Sequence, residues 1–149
     1  MGMFSAFDIS ATGMTAERYR MDIIAQNVAN AETTRTEDGT PYRRKVVVFE
    51  EKNSHTPFRS VLRRESERYT GSGVKVTGVY EDQWTEGNMV YDPSHPDADE
   101  NGYVTYPNVN IITEMTNLID ASRAYQANAT ALDASKKIAT QGLSLMNGN

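Results

Sequence analysis

One short acidic segment has side chains at the spacing of a calcium-binding loop. Residues 97–102 read Asp-Ala-Asp-Glu-Asn-Gly, which matches the first six positions of an EF-hand loop, with its oxygen ligands and its turn glycine. The match then fails, because the twelfth position is Asn108 where a bidentate Glu is needed, and Pro93 and Pro96 prevent an entering helix. We therefore interpret residues 97–102 as an acidic turn that leads into a strand, and we expect no metal or other cofactor.

The sequence contains no arrangement of side chains typical of a catalytic site. Its two histidines, His55 and His95, have no nucleophile at a useful spacing. The absence of cysteine excludes disulfides, thiolate metal sites and a cysteine nucleophile. A peptidoglycan hydrolase would need a carboxylate pair such as Glu65 and Asp82 in one cleft, and no pattern places these two together. We expect no catalytic residues.

Composition argues against further classes of function. The 149 residues fit one domain of ordinary size, and a net charge of −5 argues against a nucleic-acid binder, which needs clustered cations. Hydrophobic residues make up 38% of the chain, so we expect its order to depend on partners. The longest apolar run, residues 46–49, is too short to cross a bilayer, and residues 1–10 lack the pattern of a cleaved signal peptide.

Residue types are distributed unevenly, and this predicts the fold class. Of 14 alanines, 13 lie in residues 1–31 and 109–149, whereas all five prolines lie in residues 32–108. Helix formers thus occupy the two ends and helix breakers the middle. We predict an α+β fold in which long N- and C-terminal helices pair as a coiled-coil-like bundle, with a small β-rich insert between them. The predicted segments are 1–34, 35–108 and 109–149.

Each end carries a stripe of mostly apolar residues at alternating steps of three and four, as in a coiled-coil seam. The first stripe predicts a helix from about residue 5 to 31, the second a helix from about 110 to 146 that is capped by Asn108 or Asn110. The stripes read Phe4, Phe7, Ala11, Met14, Arg18, Met21, Ala25, Val28 and Ile111, Met115, Leu118, Ser122, Tyr125, Ala129, Leu132, Lys136, Ala139, Leu143, Met146.

Two interpretations of the stripes stay open. The simpler one is that they bury each other in an antiparallel hairpin. The other adds that small residues on further faces allow neighbouring subunits to approach, although alanine can also reflect helix propensity alone. These small residues are Ala121, Ala124, Ala127, Ala131 and Ala134.

The middle segment predicts short strands separated by turns. Candidate strands are 43–50, 74–82 and 102–106, with turn signals such as Asp38-Gly39 and Asn101-Gly102. Trp84 is the expected anchor of the small β core. The stretch 59–68 interleaves four arginines with two glutamates, which favours a solvated or protein-contacting surface over a phosphate site.

Three stretches together resemble the flagellar basal-body rod proteins. At the end of the first helix, Asn27, Asn30 and Thr33 form an Asn-x-x-Asn-x-x-Thr motif similar to that of flagellar rod and hook proteins. Residues 91–98 followed by 102–110 are similar to the proximal rod members of this family, as are residues 122–128. The resemblance covers both ends of the chain and the approach to the second helix, whereas residues 35–90 carry little of it.

This resemblance implies a structural subunit of the bacterial flagellar basal body. Such a subunit is exported through the flagellum's own type III apparatus, without a cleaved signal peptide, and polymerises into the rod, the drive shaft that crosses the periplasm. The implied partners are other rod proteins and further copies of itself in a helical assembly, together with the rod base near the MS ring and export apparatus. Neither nucleic-acid binding nor direct membrane insertion is expected.

The expected assembly interface combines apolar stripe residues with the two motif asparagines. Asn27 and Asn30 should end the first helix, since Asn tolerates the left-handed conformation found there, and Asn27 is also a candidate for a bond to an adjacent subunit. The interface residues are Phe4, Phe7, Met14, Met21, Asn27, Val28, Asn30, Ile111, Met115, Leu118, Tyr125, Leu132 and Leu143.

Two other functions remain open from the sequence. A cytoplasmic coiled-coil adaptor would share the heptad pattern, but it would form a monodisperse, stably helical oligomer. A peptidoglycan hydrolase is the more distant alternative, because it requires the carboxylate pair considered above.

Overall fold

The computed structural model describes residues 3–52 and 73–147. The arginine-rich stretch 59–68 lies outside the described residues, as do His55 and Glu65. The side chains of Phe4 and Met146 lie outside them too.

Two long helices occupy the ends of the chain, as predicted. Helix α1 spans Met3–Ala29 and helix α2 spans Ile111–Asn147. The α2 start agrees with the predicted asparagine cap, because the Asn110 side-chain oxygen accepts a hydrogen bond from the Thr113 backbone amide at 3.1 Å. Among the described residues, no helix is long and apolar enough to cross a membrane.

Helix α1 ends at the motif asparagines, but not through the left-handed conformation that was expected of them. Positive φ angles occur only at glycines among the described residues, so neither Asn27 nor Asn30 adopts the left-handed conformation. Instead, the Asn30 side-chain amide donates to the Gln26 carbonyl at 2.9 Å, which satisfies one of the last carbonyls of the helix. The Thr33 amide and hydroxyl both donate to Asn30, at 3.1 and 3.2 Å, and turn the chain away.

In the described residues between the helices lie four strands, which form two two-stranded sheets. In the first sheet, β1 (Lys45–Glu51) pairs with β2 (Val74–Glu81). In the second, β3 (Asn88–Tyr91) pairs antiparallel with β4 (Tyr103–Tyr106), with Val90 opposite Val104. Sequence analysis predicted β1, β2 and β4 but missed β3, whose four residues are all exposed and lack the inside–outside alternation of a half-buried strand.

The expectation that Trp84 anchors the β core is wrong. The Trp84 residue is 96% exposed, whereas Val104 of β4 and Tyr42, which precedes β1, are buried. Trp84 follows Asp82, whose carboxylate accepts hydrogen bonds from the Trp84 and Thr85 backbone amides at 3.1 Å each. This turn orders the backbone without burying the indole.

The described contacts divide the chain into two compact units, the first built from three segments and the second from two. The first comprises Met1–Arg18, Phe49–Thr77 and Arg123–Asn149, and the second comprises Tyr19–Val48 and Gly78–Ser122. Both units therefore include a part of α1 and a part of α2. In the first, the Gly13 backbone lies so close to Asn128 that an added Cβ would be 2.9 Å from its side-chain oxygen.

Gly102 allows a backbone stability prediction. Its φ is +81°, and an added Cβ would lie 3.0 Å from the Tyr91 ring and 3.2 Å from Pro93. Gly102→Ala should lower the free energy of unfolding by about 2 kcal/mol, combining left-handed strain with a tight contact. Urea denaturation followed by circular dichroism measures the loss. Gly39→Ala is the control, since φ is +76° there with nothing within 4 Å, and equal losses would contradict the contact argument.

Candidate assembly surface and its buried polar network

Asn27 is a buried hydrogen-bonding centre in the second unit. It is 0% exposed. Its side-chain amide donates to the Lys45 carbonyl at 2.8 Å and to Glu114 Oε2 at 2.9 Å. Its oxygen accepts from the Lys45 backbone amide and from the Tyr42 hydroxyl, both at 2.9 Å. Since an Asn side chain has two donor hydrogens and two acceptor lone pairs, its capacity is filled inside the chain.

Glu114 links this centre to a cation. The residue is 1% exposed, on the first turns of α2. Its Oε1 accepts from Arg44 Nε at 2.8 Å and pairs with Arg44 Nη2 at 2.7 Å, while its Oε2 accepts from Asn27. A buried carboxylate is tolerated when it is paired and hydrogen-bonded, and both conditions hold here. The polar network of Asn27, Tyr42, Arg44, Lys45 and Glu114 thus connects α1, the start of β1 and α2.

Tyr42 contributes a titratable group to the polar network. Burial raises the pKa of its hydroxyl, and the negative charges of Glu81 and Glu114 raise it further. The hydroxyl therefore stays protonated and able to donate to Asn27 at neutral pH.

Asn108 links the residues before β1 to the residues after β2 in the second unit. Its side-chain oxygen accepts from the Arg44 backbone amide at 2.8 Å, and its side-chain amide donates to the carbonyls of Asp82 and Thr85 at 2.9 and 3.2 Å. Asn108 therefore fixes the residues before β1 and after β2, and it does not cap α2.

In the acidic turn at residues 97–102, the carboxylates of Asp97 and Asp99 serve as hydrogen-bond acceptors. Asp99 Oδ1 accepts from the backbone amides of Asn101 and Tyr103, both at 2.8 Å, and Asp97 Oδ2 accepts from the Thr34 hydroxyl at 2.8 Å. No group of three or more metal-ligating side chains occurs in the part of the chain that the structure describes.

Asp82 was the described member of the carboxylate pair that a hydrolase would need. The Thr85 hydroxyl and amide hold the pKa of the Asp82 carboxyl below its usual value, whereas a general acid requires a raised pKa.

The predicted α1 stripe does not coincide with the most buried face of that helix. Ala11, Arg18 and Ala25 are exposed, whereas Phe7, Met14, Met21 and Val28 are half-buried. The most buried residues of α1 are instead Ser10, Ala16, Ile24 and Asn27. Two of these four are polar, so apolar spacing alone could not identify this face.

In α2 the buried row agrees with the predicted stripe at some positions and lies one residue before it at others. Leu118, Tyr125, Leu132 and Ala139 are half-buried, in agreement with the predicted stripe. Between them, three residues are more buried than the stripe member that follows each of them, and at a fourth place Asn128 and Ala129 are both half-buried. The three residues are Glu114, Ala121 and Ser135.

Three predicted interface residues remain exposed in α2. Ile111, Met115 and Leu143 have 44%, 56% and 56% of their surfaces accessible. The motif residue Asn30 is half-buried at the end of α1. The predicted interface set is thus divided between residues held inside the chain and residues that face outward.

Sequence reasoning missed four members of the polar network, namely Tyr42, Arg44, Lys45 and Glu114. Glu114 offered one signal, because it is the only charged residue in 111–119 and five of the other eight residues there are large and apolar. An isolated charge in such a run favours a buried, paired role. Its partners could not be inferred, since Asn27 and Glu114 are 87 residues apart in the chain.

Two family models match the ends of the chain. The model described as "Flagella basal body rod protein" matches residues 7–35, and "Flagellar basal body rod FlgEFG protein C-terminal" matches residues 100–145. The first range includes Asn27 and Asn30, and the second includes β4 and most of α2.

Similarity to curated relatives extends over nearly the whole chain. The flagellar basal-body rod protein FlgC of Borreliella burgdorferi is 39% identical over 153 residues, covering 99% of this chain and 100% of the relative. The protein of the same name from Bacillus subtilis is 39% identical and covers 97% of this chain and 99% of its own length. That of Aquifex aeolicus is 41% identical over 138 residues, with coverages of 93% and 92%.

Removing the Asn27 amide should be strongly destabilising. Asn27→Leu leaves the Lys45 backbone groups and Glu114 without their partner in a buried site, and the free energy of unfolding should fall by about 3 kcal/mol. Asn30→Ala is the control from the same motif, because it removes a more exposed bond and should cost about 0.5 kcal/mol. Urea denaturation of both variants measures the difference. A loss for Asn27→Leu no larger than for Asn30→Ala would contradict the hydrogen-bonding role.

Tyr42→Phe should reduce stability by about 1 kcal/mol at neutral pH. Because the folded-state pKa is raised above its ordinary value of 10.0, Tyr42 stabilises the fold fully below that pH, and this contribution is lost as pH rises above 10.0 through the raised folded-state pKa. The stability difference between wild type and Tyr42→Phe should therefore shrink as pH rises above 10.0. Urea titrations across that window measure the difference, and one that grows with pH would contradict the assignment.

Proposed function

The chain belongs to the flagellar basal-body rod proteins, and we propose that it enters the rod through its two terminal helices. It is a structural subunit of the rod, which assembles with other rod proteins. The observation that carries this function is 39% identity to a rod protein over almost the full length of both chains.

The finer placement is also part of the proposal. The subunit occupies the proximal rod, contacts the rod base near the MS ring and export apparatus, and forms part of the drive shaft through the periplasm. It reaches this position by the flagellar export route. Resemblance to the proximal members in residues 91–98, 102–110 and 122–128 supports this placement.

The proposed helix-mediated assembly agrees with the surface of α2. Ile111, Met115 and Leu143 are exposed although they are large and apolar. Ile111 and Met115 are about one helical turn apart, and neighbouring exposed apolar residues of this kind are typical of protein–protein contact sites. Leu118, Tyr125 and Leu132 are half-buried, so they stabilise the subunit as well as any contact that it makes.

The motif asparagines act in this proposal by positioning α1. Asn27 has its donors and acceptors filled within the chain, and Asn30 closes the last turn of the helix. The half-buried side chains Phe7, Met14, Met21 and Val28 are held on the helix that these asparagines fix. Phe4 is included in the proposed interface from its place in the apolar stripe.

Leu132→Asp tests the proposal in cells. A charge at this half-buried position should prevent incorporation into the rod, since burying an unpaired carboxylate costs several kcal/mol. Motility should be lost and the subunit should be missing from purified hook-basal bodies, while synthesis and export continue. Ala131→Asp is the control, because residue 131 is exposed and the same charge stays solvated there. Normal swimming by Leu132→Asp cells would contradict the role of this helix face.

A further inference from the structure

We propose that the imidazole of His95 is a pH-sensitive switch, which holds the acidic turn to the segment after α1 while the ring is neutral and loosens it when the ring is protonated. The residues involved are His95, Asp97, Thr34 and Arg35, here called the His95 switch. They belong to one unit, and the contacts between them lie within one chain. The inference therefore goes beyond the rod function and does not depend on it.

The His95 ring takes part in a hydrogen bond that only its neutral form can make. Its Nδ1 accepts from the Asp97 backbone amide at 3.1 Å. A ring nitrogen accepts a hydrogen bond only when it carries no proton, so this bond requires the tautomer with its hydrogen on Nε2. In the charged ring both nitrogens carry hydrogens, and Nδ1–H would then face the Asp97 N–H. Protonation of His95 therefore breaks this bond.

The residues around His95 explain why its ring bonds to this amide. Pro96 follows His95 and has no backbone N–H, so Asp97 supplies the first amide donor after the histidine. The backbone of His95 is itself held, because its amide donates to the Asp92 carbonyl at 3.2 Å and its carbonyl accepts from the Ala98 amide at 3.1 Å. The ring therefore reaches the Asp97 amide from a fixed position.

Asp97 connects the ring to the segment that follows α1. Its Oδ2 accepts from the Thr34 hydroxyl at 2.8 Å, and its Oδ1 lies 3.5 Å from Arg35 Nη1. Thr34 and Arg35 directly follow Thr33, the last residue of the asparagine motif. The Arg35 side chain is exposed and its ion pair is long, so the Thr34 bond is the stronger connection. Once the Asp97 amide loses the ring, the Asp97 carboxylate is less firmly fixed opposite Thr34.

A carboxylate near His95 can attract the protonated ring. The Ser94 hydroxyl donates to Asp92 Oδ1 at 2.6 Å, and the Ser94 amide donates to the same atom at 3.0 Å. These bonds hold the pKa of the Asp92 carboxyl below its usual value, and the positive charge of His95 lowers it further. Asp92 therefore stays negatively charged throughout the range in which histidine titrates, about pH 5 to 8. A ring that leaves the Asp97 amide thus has an anionic partner nearby.

Three further charged or titratable groups lie around the ring among the described residues. The Asp97 carboxylate is a second negative charge, and the Arg35 guanidinium that pairs with it is the positive charge from the segment after α1. From β4, the Tyr106 ring has its centroid 6.4 Å from that of His95. The two carboxylates outnumber the one guanidinium, so the neutral ring is held in place by its directional bond to the Asp97 amide.

Nuclear magnetic resonance of the isotope-labelled full-length protein tests the His95 switch. The ring signals of His95 and the backbone amide signals of Thr34 and Asp97 are followed as the pH is lowered from about 8 to about 5. His95→Asn is the matched variant, because its Oδ1, bonded to Cγ as Nδ1 is, accepts a hydrogen bond but does not titrate. His55→Asn distinguishes the ring signals of the two histidines.

The amide signals of Thr34 and Asp97 should shift with the same midpoint as the His95 ring. Hydrogen exchange at the Asp97 amide, expressed as the ratio of wild type to His95→Asn, should rise about fivefold from high to low pH, as expected for the loss of one ordinary hydrogen bond. This ratio removes the pH dependence of chemical exchange, which both proteins share. In His95→Asn the two amide signals should not follow this titration.

The wild-type titration decides the question even if His95→Asn does not fold. An Asp97 amide signal that stays constant while the His95 ring titrates would overturn the inference. A shift of Asp97 without a shift of Thr34 would also overturn it, because the ring would then act on the acidic turn alone. Equal pH dependence in wild type and His95→Asn would assign the change to another group and reject the switch. None of these outcomes bears on rod assembly, which is tested separately by Leu132→Asp.

Discussion

The hydrogen bond between Asn27 and Glu114 is the constraint on which the second unit depends. It joins the last turns of α1 to the first turns of α2, and the same two side chains also hold Lys45 at the start of β1 and Arg44 beside it. Because both side chains are buried, every partner must be in place at once. A partly formed network would leave a carboxylate or an amide unsatisfied, so the network favours a single arrangement of these three elements.

Buried polar residues limit the arrangements that the two helices can adopt. An apolar core stabilises almost any well-packed arrangement, whereas a buried asparagine or carboxylate is satisfied only in particular geometries. In this protein the paired helices are positioned by directional bonds, and much of the apolar surface of α2 stays outside. This combination suits a subunit whose apolar contacts are completed by neighbours in a rod.

Hydrogen bonds also order the insert between the helices. Asn108, Asp82 and Asp99 order its turns by accepting backbone amides or bonding backbone carbonyls, while large side chains such as Trp84, Met89 and Tyr91 remain exposed. The described part of the insert therefore owes much of its local order to hydrogen-bonded turns and short strand pairs, and its buried apolar residues are few. Low overall hydrophobic content is the compositional sign of this organisation.

The sequence alone determined the α+β class, the two long terminal helices, three of the four strands in the described residues and the rod family, because helix formers, helix breakers and the Asn27, Asn30 and Thr33 motif are local signals. Only the tertiary structure decided which helix faces are buried. Apolar periodicity pointed to Met115 and Ala25, yet the buried positions belong to Glu114 and Asn27, since these polar side chains find partners 70 and 18 residues away in the chain. Such pairing creates a favourable buried position for a residue whose type alone predicts exposure, and no local pattern records it.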